Sequence, residues 1–290
     1  MSAPEGGDLA SGPSRVWRGS TTIFCRDLAL QGKPVSKPGL VLAGPNANAG
    51  SVVPGLLRTS RKRPEMPFRV LIIGGTGQVG AAVVRVLAAE PACAEVVMVS
   101  RKAISLSADP RVRQVILDTA DAQFSAEVTK LAQRMVAQGD PVYGASCVGV
   151  GKGSMKWSEA ELKALEIGVV GGFARGCLAG GITRFALLSA AGSTANSRIR
   201  YARVMGLKEE AVEAIGFQRL AIFRPGIIAG NAHTPGYVAW LGRLIPGPFG
   251  AIEQDDIARA FVAEFISNPA PDGVVYLENG AMRQRSRALK

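Results

Sequence analysis

Phe68-Arg69-Val70-Leu71-Ile72-Ile73-Gly74-Gly75-Thr76-Gly77-Gln78-Val79-Gly80 decides how this chain is read. Its first six residues form a short apolar, β-branched run that predicts a strand. Four glycines follow in the next seven positions, and then Ala81, Val84, Leu87 and Ala88 recur at helical spacing. Gly74, Gly77 and Gly80 fit GxxGxxG, while Gly75, Gly77 and Gly80 fit GxGxxG, and the spacing leaves both frames open. A strand before, a helix after and another strand end about 20 residues on are the context a dinucleotide-binding loop requires. Glycines permit the tight turn and let backbone approach a pyrophosphate without a Cβ clash. The helix that opens there offers unpaired N–H groups and the positive end of its dipole. Thr76, Gln78 and Val79 complete the cradle. A plain strand-to-helix turn would not need so many glycines.

Outward from the loop the pattern alternates. Apolar runs over residues 95–99, 112–117, 143–150, 184–188 and 220–223 read as strands. Residues 122–138, 158–178, 201–215 and 252–265 read as helices. This order predicts an α/β fold: a doubly wound parallel sheet, or Rossmann fold, with a small C-terminal substrate-side subregion, spanning 66–290 as one NAD(P)-binding domain. No internal repeat is found. A long uncharged run, between Arg224 and Arg243, contains two prolines, four glycines, Asn231 and His233, so it reads as a broken loop and not as a membrane span. One His and four scattered Cys, with no CxxC pair, exclude a His-rich metal centre, a zinc knuckle and a redox dithiol. So few Cys in 290 residues also make no disulfide scaffold, which points to a reducing, cytoplasmic setting.

The second strand ends in Ser100-Arg101-Lys102. An acid commonly stands there to bond the ribose 2′-hydroxyl of NAD; here are two cations, and a guanidinium can clamp the 2′-phosphate of NADP in bidentate fashion. NADP(H) is therefore the expected cofactor, with NAD(H) as the alternative and a solvated basic turn as the reading without a ligand. Asp118 ends the third strand, where its carboxylate either accepts from an adenine amino group or caps the next turn.

From Phe68 to about Met282 the chain resembles the atypical short-chain dehydrogenase/reductases, in the branch of the Tat-interacting-protein oxidoreductases. The resemblance is carried by Leu71–Gly77, Val99–Lys102, Leu187-Leu188-Ser189, Tyr201, Phe223-Arg224-Pro225-Gly226 and Leu277-Glu278-Asn279, in that order. It implies a Rossmann fold, NADP(H) and a Ser-Tyr-Lys site, and it supplies no substrate. Tyr201 would exchange the proton at a carbonyl while hydride moves at the nicotinamide, Ser189 would polarise the carbonyl, and a Lys would favour the phenolate. Family members carry that Lys at Tyr+4, which here is Met205; the first Lys is Lys208, at Tyr+7. Seven residues nearly close two turns, so Lys208 shares the face of Tyr201, about 10 Å along the axis. It is either a displaced helper or a solvent-facing neighbour of Glu209 and Glu210. Ala190 and Ala191 follow Ser189, and Ser193 is a rival for its role. Cys147, after the fourth strand, is expected beside the nicotinamide half of the cofactor as a small buried residue, with Pro225 as a wall of the same site. Trp240 and Leu241 line a pocket or lid, or simply pack.

Residues 1–65 differ in kind. They are rich in Gly, Pro, Ser and Arg, show no sustained period, and hold nine basic against four acidic residues, nearly half the chain's net +11. A disordered tail is expected, or an extension upstream of a true start at Met66. Glu5, Asp8 and Asp27 count against a transit peptide. The cluster Arg58, Arg61, Lys62 and Arg63 admits a nucleic-acid patch as a minor reading. His233 is a candidate general acid or a polar loop residue, and Asp255 and Asp256 suit the start of a helix. The leading expectation is an NADP(H)-dependent oxidoreductase acting on a small carbonyl or alcohol, monomer or homodimer. Its rivals are a regulatory or assembly protein that binds NADP(H) without turnover, and a nucleotide-sugar epimerase- or dehydratase-like enzyme.

Overall fold

A computed structural model of the chain describes residues 66–105, 109–150, 156–230, 236–267 and 271–289. Residues 1–65 and His233, with the expectations attached to them, lie outside the described residues. In chain order the elements begin with β1 (Phe68–Ile73), α1 (Gln78–Ala89), β2 (Cys93–Ser100), β3 (Val112–Ile116), α2 (Phe124–Val136) and β4 (Val142–Ser146). Next come α3 (Glu159–Lys163), a π-helical turn (Ala164–Val169), α4 (Val170–Ala179), β5 (Arg184–Leu188), α5 (Arg200–Glu213) and β6 (Arg219–Arg224). The C-terminal part holds β7 (Ile227–Ala229), α6 (Gly236–Leu244), β8 (Ala251–Glu253), α7 (Gln254–Ile266), β9 (Gly273–Glu278) and α8 (Asn279–Ala288).

Seven strands form one sheet in the order β3-β2-β1-β4-β5-β6-β9, and every pairing in it is parallel. The expected doubly wound Rossmann fold is therefore present. The strand alternation sorts side chains onto two cores. Val70 and Ile72 of β1 face a cluster with Val83 and Leu87 of α1, Phe261 and Phe265 of α7 and Met282 of α8. Leu71 and Ile73 face the opposite cluster, with Val128 and Leu131 of α2, Phe173 of α4 and Val212 of α5. Central strands buried on both faces read as continuous apolar runs, which is why β1 and β2 were legible. Chain order reverses between β1 and β4: β2 and β3 extend the sheet one way and β4 to β6 the other, leaving a crevice at the carboxyl ends of β1 and β4.

Two expectations about elements need correction. The helix expected over 158–178 is interrupted at Ala164–Val169, where the α ladder opens into a π turn. The uncharged run after Arg224, read as a broken loop, contains β7 and the helix α6. Its glycines hid the helix, and Gly242 is there because a β-carbon would come 3.1 Å from both the Ala251 Cβ and the Ile227 Cδ1. Trp240 and Leu241 on this helix are 59% and 50% exposed, so neither packs in the core. Among the described residues no helix is long and apolar enough to cross a membrane.

The small pair β7–β8 is tied to the main sheet through Asn279, whose side chain is fully buried. Its Oδ1 accepts from Gly226 N at 3.1 Å and its Nδ2 donates to Gly250 O at 2.8 Å. Asn279→Ala leaves both backbone groups without these partners and is expected to cost about 2–4 kcal/mol. Urea unfolding of the variant against wild type, read at the transition midpoint, measures it.

Candidate active site

The glycine loop is built by contact with β4. Gly74 has φ +80°, and a β-carbon on it would lie 2.5 Å from both the Cys147 carbonyl carbon and the Val148 nitrogen. A β-carbon on Gly80 would lie 2.1 Å from the Gly74 oxygen. Gly77 is different. Its φ is −75° with ψ 167°, a conformation open to any residue, and a β-carbon there would meet only the Gly74 oxygen, at 3.3 Å. It is exposed, at the N-cap of α1, where no side chain caps the helix and the first turn holds no acid. Protein packing thus explains Gly74 and Gly80 outright, whereas at Gly77 it supplies one tight backbone contact beside an exposed, electropositive helix end. Thr76 is exposed, Gln78 half-buried and Val79 buried, and the Sδ of Met98 lies 2.5 Å from where a β-carbon of Gly75 would sit.

The turn after β2 is shaped by a residue that sequence reasoning did not single out. Gln114 of β3 donates through Nε2 to Lys102 O at 2.8 Å and accepts from Ile104 N at 3.2 Å, while Ser100 Oγ donates to Lys102 O at 3.1 Å. Arg101 and Lys102 are exposed on this pinned turn, and among the described residues neither has an ion-pair partner. Asp118 is exposed and accepts from Ala120 N at 2.9 Å, so its carboxylate shapes the local turn.

Ser189 and Lys208 belong to two separate sets of bonds, and among the described residues Tyr201 is joined to neither. Lys208 is fully buried, which excludes the solvent-facing reading: its Nζ donates to Glu166 Oε2 at 2.9 Å and to Leu188 O at 2.8 Å. Glu166, also at 0% exposure, is presented by the π turn, and its Oε1 accepts from Val150 N at 3.1 Å. Ser189 donates to Glu209 Oε1, and the same oxygen accepts from Arg224 Nε at 2.9 Å. The Arg224 guanidinium lies 4.1 Å over the Tyr276 ring. Ser193, whose Oγ is 3.2 Å from that of Ser189, donates to Ala190 O at 2.7 Å. Among the described residues no hydrogen bond joins Tyr201 to Ser189 or to Lys208. Burial, and after it the Glu166 carboxylate, push the Tyr201 phenol well above its usual range.

Glu166, Glu209 and Arg224 were not named as site residues in the sequence. The one available signal for Glu166 was a lone acid inside the apolar run Ala164–Val170. Cys147 is buried at the end of β4 with its thiol pushed up to about 12 by burial, against an opposing pull from Lys208, so it is a packed residue and no thiolate nucleophile. Pro225 is buried beside it in sequence with the β6 end, and its carbonyl accepts from Ala191 N at 2.8 Å, joining β6 to the serine loop. Among the described residues no cluster of His, Cys, Asp and Glu has the makings of a metal site.

Comparison with known proteins agrees with this geometry. No family model matches the chain. The protein fmp52-1, mitochondrial, of Aspergillus oryzae is 30% identical over 203 residues, covering 66% of this chain and 83% of the relative. The protein HTATIP2 of Rattus norvegicus is 32% identical over 111 residues, covering 36% of this chain and 46% of that protein. Among solved structures, the enzyme WbmH of Bordetella bronchiseptica, in complex with NAD+, superimposes with a TM-score of 0.53 at 17% identity, covering 76% of this chain and 79% of that one. The oxidoreductase ylbE of Lactococcus lactis gives a TM-score of 0.53 at 15% identity, covering 76% of this chain and 96% of that one; both likenesses show the fold alone. The fold and the crevice are those of an NAD(P)-binding Rossmann protein. Within that class the chain belongs to the Fmp52 family, in the Tat-interacting-protein-like branch of the atypical short-chain dehydrogenase/reductases. One expectation falls here: the cytoplasmic setting inferred from cysteine usage conflicts with relatives that are named mitochondrial. The thiol argument spoke only to redox state, and it cannot tell one reducing compartment from another.

The buried thiols give a prediction with a definite sign. Burial pushes Cys93 and Cys147 up to about 12 and Cys177 higher than its ordinary value. In the unfolded chain these thiols ionise near 8.5. Their folded values are raised, so their contribution to stability is complete below about pH 8.5 and is lost as pH rises toward 12. Thermal melts of Cys25→Ser protein at pH 7.5 and 9.5 should show a loss on the order of 1 kcal/mol per buried thiol, and Ellman's reagent should label none of the three until unfolding.

Proposed function

We propose that this chain binds NADP(H) in the crevice at the carboxyl ends of β1 and β4 and reduces a small carbonyl compound there. The observation that carries the binding step is Gly77, exposed at the uncapped start of α1, with a backbone conformation open to any residue and a single close neighbour, the Gly74 oxygen, 3.3 Å from where a β-carbon would sit. A cradle open at that point fits a diphosphate lying against the backbone and the positive helix end. The exposed Arg101 and Lys102, on a turn fixed by Gln114, suit the extra phosphate that separates NADP(H) from NAD(H). Asp118, Cys147 and Pro225 follow β3, β4 and β6, all at the carboxyl edge of the sheet. When bound, the nicotinamide supplies the hydride.

Tyr201 holds a proton, because burial and Glu166 both favour the neutral phenol, and it serves as the acid that quenches the developing alkoxide. The polarising hydroxyl is a choice between two serines. Ser189 donates to a carboxylate, a charge-assisted bond roughly twice as strong as a neutral one, whereas Ser193 donates to the neutral Ala190 carbonyl. Ser193 therefore exchanges its acceptor for a substrate carbonyl at less cost, and Ser189 holds Glu209 in place. A second reading, an NADP(H)-binding regulator without turnover, is favoured by Met205 at Tyr+4 and by the enclosure of Lys208. The names of the relatives support a mitochondrial setting for this chain as well.

Titration calorimetry tests the binding step. Gly77→Ala should raise the Kd for NADPH by about tenfold or more while changing stability by less than about 1 kcal/mol, whereas Gly80→Ala, with its β-carbon on the Gly74 oxygen, should destabilise the fold itself. Arg101→Ala with Lys102→Ala should weaken NADPH by about tenfold to a hundredfold and leave NADH unchanged; equal affinities in the wild type overturn the assignment. For turnover, NADPH oxidation with a panel of aldehydes and ketones should fall by about a hundredfold or more in Tyr201→Phe. A wild type that binds NADPH and oxidises none of the panel favours the regulator.

A further inference from the structure

We infer that Glu166 and Lys208 are the positioning pair of this site: one enclosed ion pair that locks the loop after β4 and the end of β5 to helix α5, and so sets where Tyr201 and the serines stand beside the bound dinucleotide. The inference rests on reading the crevice as an NADP(H)-dependent carbonyl site.

Each partner of the pair is a segment that carries a site residue. Glu166 Oε1 holds the amide of Val150, three residues beyond Cys147 on the loop that borders the glycine cradle. Lys208 Nζ holds the carbonyl of Leu188, the residue before Ser189. Lys208 itself lies on the helix of Tyr201, and the charge acting on the Tyr201 phenol is the Glu166 carboxylate. The fold departs from regular helix at this point: Glu166, at 0% exposure, is the one charged residue of the π turn Ala164–Val169. Single π turns inside α-helices are frequent at functional sites.

Stability alone does not explain the pair. Two charges removed from water gain little net stability over apolar residues of similar volume, and replacing such pairs by hydrophobic residues is often neutral or stabilising. What the pair supplies is a fixed geometry among four backbone segments. At Tyr+4, where family members place an ammonium, this chain has Met205, at 1% exposure, which has no charge to order anything. The ammonium enters two turns along instead and acts through the frame.

The test is the double variant Glu166→Leu with Lys208→Met, which removes both charges together and keeps the volume. It should fold with a midpoint within about 5 °C of wild type and bind NADPH within about threefold, because the diphosphate cradle is untouched. Its kcat for the best carbonyl of the panel should fall at least about tenfold with KM little changed, the signature of lost transition-state alignment. A purely structural pair would leave kcat within about twofold, and that result overturns the inference. Amide exchange on the wild-type protein is independent of both folding of the variant and turnover. Val150 N–H should exchange at least about a hundredfold more slowly than the exposed Gly149 N–H, and equal rates overturn the tether. If the wild type binds no NADPH, the cofactor reading fails on that measurement, while the exchange rates still decide whether Glu166 holds the loop.

Discussion

At Gly74 the backbone leaving β1 turns directly against the backbone leaving β4, so close that a β-carbon would sit 2.5 Å from the carbonyl carbon of Cys147. That contact falls where the strand order reverses, and everything near the site is measured from it. It brings the loop that opens α1 and the loop that follows β4 to one crevice. It also forces Gly80 into the first turn of α1, since the Gly74 oxygen occupies the place of a side chain. The tight turn is a packing requirement of the sheet, and the open face at Gly77 is what that turn leaves over.

Ion pairs stand at both edges of the sheet. At the amino edge, Arg69 bridges Glu95 and Asp140, Arg113 joins Glu95, and Arg184 meets Asp272; most of these groups keep some contact with water and they tie adjacent strand starts together. Partly screened pairs of this sort contribute little each. At the carboxyl edge, Lys208–Glu166 has no exposure at all, and the Glu209 carboxylate, 4% exposed, is held by Arg224. These pairs touch the residues next to Ser189, the loop after β4 and the start of the β6–β7 connection. Buried pairs are poor sources of stability and good sources of definite geometry. Buried pairs occur at both edges, since Arg219 at the start of β6 meets Glu264 with both side chains buried, and the pairs at the carboxyl edge are the ones that border the crevice.

The sheet and the glycine loop were legible because their signals are local. An apolar run such as Phe68–Ile73 reports burial on both faces, and glycine spacing reports a close backbone approach whatever lies on the other side. Ser189, Tyr201 and Pro225 came from the resemblance; Ser189 and Pro225 follow the paired strands β5 and β6, and Tyr201 lies in the first turn of α5. The rest was invisible for a physical reason. Whether Lys208 faces water or the interior depends on a carboxylate 42 residues away on a turn whose π geometry no periodicity announces. Gln114 matters because it stands opposite Met98 in the β2–β3 register, and register is a property of pairs of strands. Helix α6 was missed because its glycines, which let it lie close to β7 and β8, look like breaks in a single sequence.

The same distinction governs the chemistry. A side chain such as Tyr201 is recognised by type, but its protonation is set by its surroundings, here by burial first and by the Glu166 carboxylate second. A phenol beside an ammonium is prepared to lose its proton, whereas a phenol enclosed and set beside a carboxylate keeps it. Either direction of a hydride transfer uses the same phenol, so its surroundings set how readily it gives or takes the proton. Moving the only lysine of α5 from the fourth to the seventh position after Tyr201, and pairing it with Glu166, therefore changes more than a distance. It leaves the phenol enclosed beside a carboxylate, with the lysine already committed to that carboxylate.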